Sequence, residues 1–525
     1  MSESEVSTIP AALARAVARH GDRVAVVEGD TSVTYAELAE RARIVGAGLV
    51  RLGIRPGDRV GIWAPNSLRW IEALLGLSSA GATLVPVNTR FKGDEAAVVL
   101  SRSGARALVA VTDFLGADHV AMLRSSATAL PELATIVVAD GPPADGTVAG
   151  DDLLSLASEQ DLAELDRRAT AVTPQDTCDI LFTSGTTGVP KGVVQTHAGT
   201  LGVARDWVAM TGITSDDRYL MVNPYFHMFG LKAGILASLV AGLTMYPVPV
   251  FDADAVLDAV ERERITVLPG APTLYQSILD GAAGGRRDLS SLRIAVTGAA
   301  DIPVTLIRRV MDELPFQIVL AGYGLSEGGT ATATEPGDPP EAVATTVGVP
   351  RPSFELRIVD GDGNDVAAGG TGEILLRGRT VMSHYLDDPE ATAEALSPDG
   401  WLRTGDLGVI GEDGRLRIVG RAKDMFIVGG FNAYPAEIEN LLLGHPDVRQ
   451  AAVIGVPDER LGEVGRAFVV LEPEATATPD ELVAWAREHM ANYKVPRRVE
   501  VVDLLAVNAA GKVEKVTLRT RAGLT

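Results

Sequence analysis

Apolar and polar positions along this chain switch repeatedly between a helical and a strand period. Ile9 to His20 carries apolar residues at helical spacing, and Val24 to Val27 is a short apolar run of strand length. Thr34 and Glu37 form a capping box ahead of a helix running towards Leu52, which Gly53 closes and Pro56 follows. Strand Val60 to Ala64, helix Leu68 to Ala80, strand Leu84 to Val87, helix Asp94 to Ser103 and strand Ala107 to Val111 continue the alternation. Repeated strand and helix units predict a wound, largely parallel sheet, hence an α/β fold. From about Ser125 to Thr173 the periodicity is weak and the stretch is rich in Ala, Gly, Pro and Asp, which reads as peripheral helix and loop.

Strand Asp179 to Phe182 ends that stretch, and a second series follows. It runs through helix Leu201 to Met210, strand Arg218 to Met221, an apolar helix from Phe229 to Val240, strand Leu243 to Pro247 and helix Asp252 to Arg264. Strand Val267 to Leu268, helix Pro272 to Leu279, strand Arg293 to Thr297, helix Ile302 to Leu314 and strand Gln317 to Ala321 complete it. Two such series predict two wound subdomains. From Thr346 onward, short strands with Gly/Asp turns predict a small β-rich unit, and after Gly420 the pattern changes to a compact α+β tail of about 100 residues, an ordinary domain size. The expected division is a large N-terminal domain over 1–420, a hinge at 421–424 and a smaller, mobile C-terminal domain over 425–525.

Composition narrows the classes open to such a fold. The chain has 525 residues, 46% of them hydrophobic, enough to bury a large core. Its apolar stretches are interrupted by Gly, Pro or charge before about 18 residues, and Met1 to Pro10 is acidic and polar, so neither a membrane span nor a signal peptide is expected. Cys178 is the only cysteine, which excludes disulfides within the chain and a cysteine-based metal cluster. A cytoplasmic location follows as the default. A net charge of -22 argues against a nucleic-acid partner and requires any phosphate site to be locally positive. Oligomeric state is not written in the pattern; a homo-oligomer stays open.

Candidate chemistry starts at Phe182 to Gly192, FTSGTTGVPKG, where Gly, Ser, Thr and one Lys can converge on an anion with no bulky side chain in the way. It is not a Walker loop: counted from Gly185, Pro190 stands at the second glycine and Gly192 follows Lys191 where a hydroxyl is needed. The residues after it, Gly192 to Thr196, read as a strand rather than a helix, so a hairpin loop closing over phosphates is expected. Elsewhere, Gly324-Leu325-Ser326-Glu327-Gly328 fits the nucleophile elbow of a serine hydrolase, but the elbow needs a helix next and Gly328 to Thr332 is a poor helix start.

The glycine-rich loop, Tyr225-Phe226-His227, Gly322 to Glu327, Gly400 to Asp406, Gly420 to Asp424 and Gly511-Lys512 stand in the order and spacing of the adenylate-forming enzymes, which the chain resembles over nearly its whole length. The resemblance implies two half-reactions in one site: a carboxylate attacks the α-phosphate of ATP to give acyl-AMP and pyrophosphate, and a thiol, here coenzyme A, then displaces AMP. It implies that Thr183, Ser184, Gly185, Thr186, Thr187, Gly188 and Lys191 hold the departing phosphates. Gly298, Ala299, Ala300, Gly322, Tyr323 and Gly324 are implied to line the nucleotide site, with Tyr323 offering a flat face for adenine. Ser326 keeps a hydroxyl for the α-phosphate, and Glu327 is a hard oxygen ligand for Mg2+. Asp406 would accept both ribose hydroxyls, with Arg421 beside the same sugar. Lys512 would bridge the substrate carboxylate and the α-phosphate as charge builds in the transition state.

The tail is implied to turn about Lys423, presenting Lys512 first and then Gly429 and Gly430, which would line a pantetheine tunnel. The chain ends soon after Lys512, which leaves no room for a carrier domain and favours CoA as the thiol. Segments Phe226 to Gly234, Ile265 to Gly270 and Val296 to Pro303 resemble the actinobacterial CoA ligases that activate a methylhexahydroindanedione propanoate left from steroid ring degradation; medium-chain fatty and aryl acids are the alternatives. His227 is either a gate between acyl pocket and thiol tunnel or a packed histidine. Lys232, a charge inside an apolar helix, either snorkels to solvent or donates to a keto group in the acyl pocket, since a plain fatty chain would leave it unpaired.

Overall fold

The computed structural model describes residues 6–183, 190–285, 287–298, 304–428, 431–458, 460–507 and 513–524. The first series builds an eight-stranded sheet in the order His384–Tyr385, Lys191–Thr196, Thr177–Thr183, Thr83–Pro86, Arg59–Trp63, Ala107–Val111, Thr135–Asp140 and Val148–Ala149. Its first three strands pair antiparallel and the rest are parallel. Two of these strands, Thr135–Asp140 and Val148–Ala149, lie in the stretch expected to be helix and loop. They extend the edge of the sheet, where only Val137 and Val138 of the longer strand are buried, so no continuous apolar run marks them.

Val24–Glu28 leaves the first series altogether. It pairs parallel with Thr244–Pro247, which pairs with Arg218–Met221. The expected strand at Val267 is reduced to single bridges, to Tyr219 on one side and Ile294 on the other. Beyond it come Ile294–Gly298, Ile318–Leu325, Gly329–Ala333 and Val349–Pro350. The largest apolar cluster joins Leu38, Trp70 and Ile71 of the first series to Tyr219, Leu236 and Met245 of the second, so the two sheets share one core.

The apolar run after His227 is a π-helix over Phe229–Leu236, followed by a short α-helix Ala237–Ala241. Hydrophobicity alone does not separate these two windings, and π-turns concentrate at functional sites. The β-rich unit forms as expected from Phe354–Val359, Gly372–Gly378, Leu402–Ile410 and Leu416–Arg421, all antiparallel. After it, Phe426–Val428, Phe431–Ala433, Val448–Asp458, Gly462–Leu471 and Arg498–Val501 make a five-stranded sheet with helices Pro435–Leu442 and Pro479–His489. Its main apolar cluster draws on residues from Phe426 onward. Among the described residues no helix is long and apolar enough to cross a membrane.

A buried histidine ties the chain's start to the helix that follows the phosphate hairpin. His197 opens the helix His197–Thr211, and its Nδ1 accepts the Ile9 N–H at 3.3 Å. Burial lowers its pKa from 6.5 to about 4. The neutral ring therefore contributes stability that is complete above pH 6.5 and is lost as pH falls towards 4, at about 1.4 kcal/mol per pH unit. Urea unfolding across that window should show the midpoint falling with pH, and His197→Asn should flatten the slope; an unchanged slope in the variant would contradict the assignment.

Candidate active site

The hairpin expected around the glycine-rich loop is present, with Thr183 directly opposite Lys191 at its open end. That explains the failed Walker match, because the lysine here begins a returning strand instead of a helix. Ser184, Gly185, Thr186, Thr187 and Gly188 lie outside the described residues, as do Ala299, Ala300, Gly429, Gly430 and Lys512. The Lys191 ammonium sits over the ring of Tyr385, 5.1 Å from its centroid. The Tyr385 hydroxyl donates to Glu327 Oε1 at 2.9 Å. One tyrosine thus bridges the phosphate-loop lysine and the carboxylate expected to serve the metal.

Glu327 stands in the turn between Ile318–Leu325 and Gly329–Ala333, which pair antiparallel. The Met382 N–H holds its carbonyl at 2.6 Å. Ser326 shares this turn, and the following strand rules out the helix that a nucleophile elbow needs. Gly329 has φ +87°, and a Cβ there would come within 2.5 Å of Val203 Cγ2. On Ile294–Gly298 a Cβ at Gly298 would lie 2.7 Å from the Gly322 carbonyl oxygen, so a side chain at either glycine would need the sheet to shift.

A second cluster is centred on Asp406, buried on Leu402–Ile410 and directly opposite Arg421. Its Oδ2 accepts the Tyr323 hydroxyl at 2.6 Å and its Oδ1 pairs with Arg421 Nε at 3.0 Å. Both oxygens are thus engaged from one side, and each keeps lone-pair capacity for a further donor. The bond orients the Tyr323 ring, and burial with the Asp406 charge pushes its phenol well above the usual value, so it remains a donor. Lys423 is exposed in the turn that follows Arg421, where the Asp424 and Met425 N–H groups both donate to the Arg421 carbonyl.

The third cluster surrounds the π-helix. His227 Nδ1 accepts the Phe229 N–H at 3.2 Å, which leaves the ring proton on Nε2, and burial lowers its pKa to about 4. Phe229 meets Trp207 edge-on with centroids 5.3 Å apart. Lys232 neither reaches solvent nor lacks a partner: it is 1% exposed and its Nζ lies 3.0 Å from Asp179 Oδ1, itself buried. The expectation that Lys232 snorkels to solvent is therefore corrected: the side chain is buried, and the chain itself supplies a counter-charge. Thr200 Oγ1 donates to the other Asp179 oxygen. Asp179 and Thr183 are four residues apart on one strand and so face the same side, which links the π-helix to the strand that delivers the phosphate loop.

Tyr385 and Asp179 are the members of these clusters that sequence reasoning missed. Tyr385 lies in a two-residue strand with no periodicity of its own, and Asp179 is an acidic residue inside a strand read as buried. A charge in a buried strand calls for an opposite charge elsewhere, and Lys232 was the other odd charge in the chain.

A hairpin carrying Lys191, a tightly packed glycine sheet end and a buried carboxylate are the groups that the sequence led one to expect in an enzyme that binds nucleotide. The chain belongs to the AMP-binding enzymes, whose family pattern matches residues 13–386, with the AMP-binding enzyme C-terminal domain matching 437–512. Over 517 residues it is 48% identical to the 3-(7a-methyl-1,5-dioxo-octahydro-1H-inden-4-yl)propanoyl:CoA ligase of Rhodococcus jostii, covering 98% of each chain. The ligase of the same name from Mycobacterium tuberculosis is 50% identical, over 98% of this chain and 99% of that one. Among solved structures, the anthranilate CoA ligase in complex with anthranoyl-AMP superposes with a TM-score of 0.89 at 29% identity, over 99% of both chains.

Proposed function

We propose that the acid activated by this ATP-dependent, AMP-forming acid–CoA ligase is a propanoate carrying a methylated bicyclic dione, of the kind left when steroid rings are degraded. The observation that carries this reading is the 48% and 50% identity, along nearly the full chain, to two ligases whose names specify that acyl group. In the first half-reaction ATP and the acid give acyl-AMP and pyrophosphate; in the second CoA gives acyl-CoA and AMP.

Each cluster has work in this scheme. Thr183, the loop after it and Lys191 hold the phosphates that leave. Asp406 takes the ribose hydroxyls on the oxygen capacity that Tyr323 and Arg421 leave free, and those two partners hold it in place. Mg2+ would arrive with ATP, since this ion takes one or two carboxylates and completes its shell with phosphate and water, and Glu327 would be one such ligand. When bound, Mg2+ offsets phosphate charge that would otherwise repel the incoming carboxylate.

His227, with its pKa lowered to about 4 by burial, puts an uncharged imidazole against the Phe229 N–H at the start of the π-helix, which suits a gate for apolar and acyl groups. With its ammonium committed to Asp179, Lys232 fixes the wall of that pocket instead of reading a keto group directly. Lys512 serves adenylation from the C-terminal domain, 425–525, which turns about Lys423 to present Gly429 and Gly430 to the thiol. Cytoplasm is the compartment where ATP and CoA meet such an acid. The enzyme incubated with MgATP, the dione propanoate and CoA should yield AMP, pyrophosphate and thioester in equal amounts, with steady AMP release only when CoA is present. ADP as product, or turnover indifferent to CoA, would overturn the scheme.

A further inference from the structure

Tyr385 has no part in the scheme so far, yet it touches two of the groups that matter most to the triphosphate. Its backbone is fixed to the outer edge of the phosphate hairpin. His384 and Tyr385 pair with Val194 and Val193, the Ser383 N–H donates to the Val194 carbonyl at 2.9 Å, and the Leu386 N–H to the Gly192 carbonyl at 2.7 Å. From the other side Thr392 Oγ1 accepts the Tyr385 N–H at 3.0 Å. The side chain is 9% exposed, so its ring and hydroxyl have one place to be.

Lys191 and Glu327 carry opposite charges and come to this one side chain from a strand and from a turn far apart in the chain. Among the described residues they form no ion pair with each other. A direct pair would spend the ammonium and the carboxylate on one another and would have to be broken before either could meet ATP. The tyrosine offers a π face to the cation and a hydroxyl to one oxygen of the anion, so the carboxylate keeps its second oxygen, and the ammonium its N–H donors, for other partners.

We propose that Tyr385 is a positioning residue for MgATP: its ring holds the Lys191 ammonium, and its hydroxyl holds the Glu327 carboxylate, in separate places until the phosphates and their cation engage them. The proposal rests on the adenylating role of the site, so binding is read apart from turnover.

Calorimetric titration of ATP without acid, with and without Mg2+, separates the two contacts. Tyr385→Phe keeps the ring and deletes the donor. It should bind Mg2+-free ATP like the unaltered enzyme while losing about tenfold of the affinity that Mg2+ adds, in line with a hydrogen bond to a charged group. Tyr385→Leu should in addition weaken Mg2+-free ATP binding about fivefold, the scale of one cation–π contact. Thioester formation from supplied acyl-AMP should be unchanged in both variants, which a general loss of structure would not allow. A full Mg2+ gain in Tyr385→Phe, identical behaviour of the two variants, or an equal fall in the acyl-AMP step would overturn the proposal. Absence of ATP binding to the unaltered enzyme would instead overturn the adenylating role itself.

Discussion

Lys512→Ala is expected to lower acyl-AMP formation by at least ~10²–10³-fold, the range for removing one preorganised group aimed at developing charge, while sparing thioester formation from supplied acyl-AMP. The α-phosphate gains negative charge as the carboxylate attacks, and a cation bridging both groups is worth most at that moment and nothing once acyl-AMP has formed. Lys191→Ala removes a different charge, at the leaving phosphates. It should raise the MgATP concentration needed for half-maximal rate more than it lowers the maximal rate. The check is the two half-reactions run separately, pyrophosphate exchange for the first and acyl-AMP with CoA for the second. Equal loss of both in Lys512→Ala would contradict this division of labour.

Breaking the Asp179–Lys232 pair should be the most damaging change to the fold among those considered. Both side chains are 1% exposed, so Lys232→Met leaves a buried carboxylate without its counter-charge, and Asp179→Leu leaves a buried ammonium without its own. Either single change should cost about 3–5 kcal/mol, because an uncompensated buried charge remains. The double variant Asp179→Leu with Lys232→Met removes both charges and should recover most of that loss. Urea unfolding of the singles and the double reads the coupling directly, and additive losses would show that the pair is not a unit. On substrates, the losses of Lys232→Met should be similar for the dione propanoate and for octanoate. A loss confined to the dione acid would restore the ammonium as a direct contact to a keto group.

Much of this architecture was legible because local rules agree with one another. The capping box at Thr34 and Glu37 starts a helix where it should, and the strand after Lys191 exposes the false Walker match. What was not legible is long-range or lies at an edge. Thr135–Asp140 sits on a sheet edge with few buried positions, so its pattern is weak. The π-helix is apolar on all sides and reads like any buried helix. The site divides the same way: motifs put Thr183, Glu327, Asp406 and Arg421 forward, because phosphate and sugar chemistry needs those groups in short, recognisable contexts. Tyr385 and Asp179 act through partners far along the chain, Glu327 and Lys191 for one and Lys232 for the other, and no local spacing encodes such pairs. Lys232 shows what a local reading lacks: the residue that makes its burial tolerable, Asp179, lies on a strand far back in the chain.

Which acid enters the site decides the proposed function. One tube holding MgATP, CoA and equal concentrations of the dione propanoate and octanoate, sampled early, gives the ratio of the two thioesters and so the ratio of their kcat/KM values. The bicyclic thioester is expected in excess by about tenfold or more, on the scale of the discrimination that a shaped apolar pocket supplies. Octanoyl-CoA in excess, or equal amounts of the two, would contradict it.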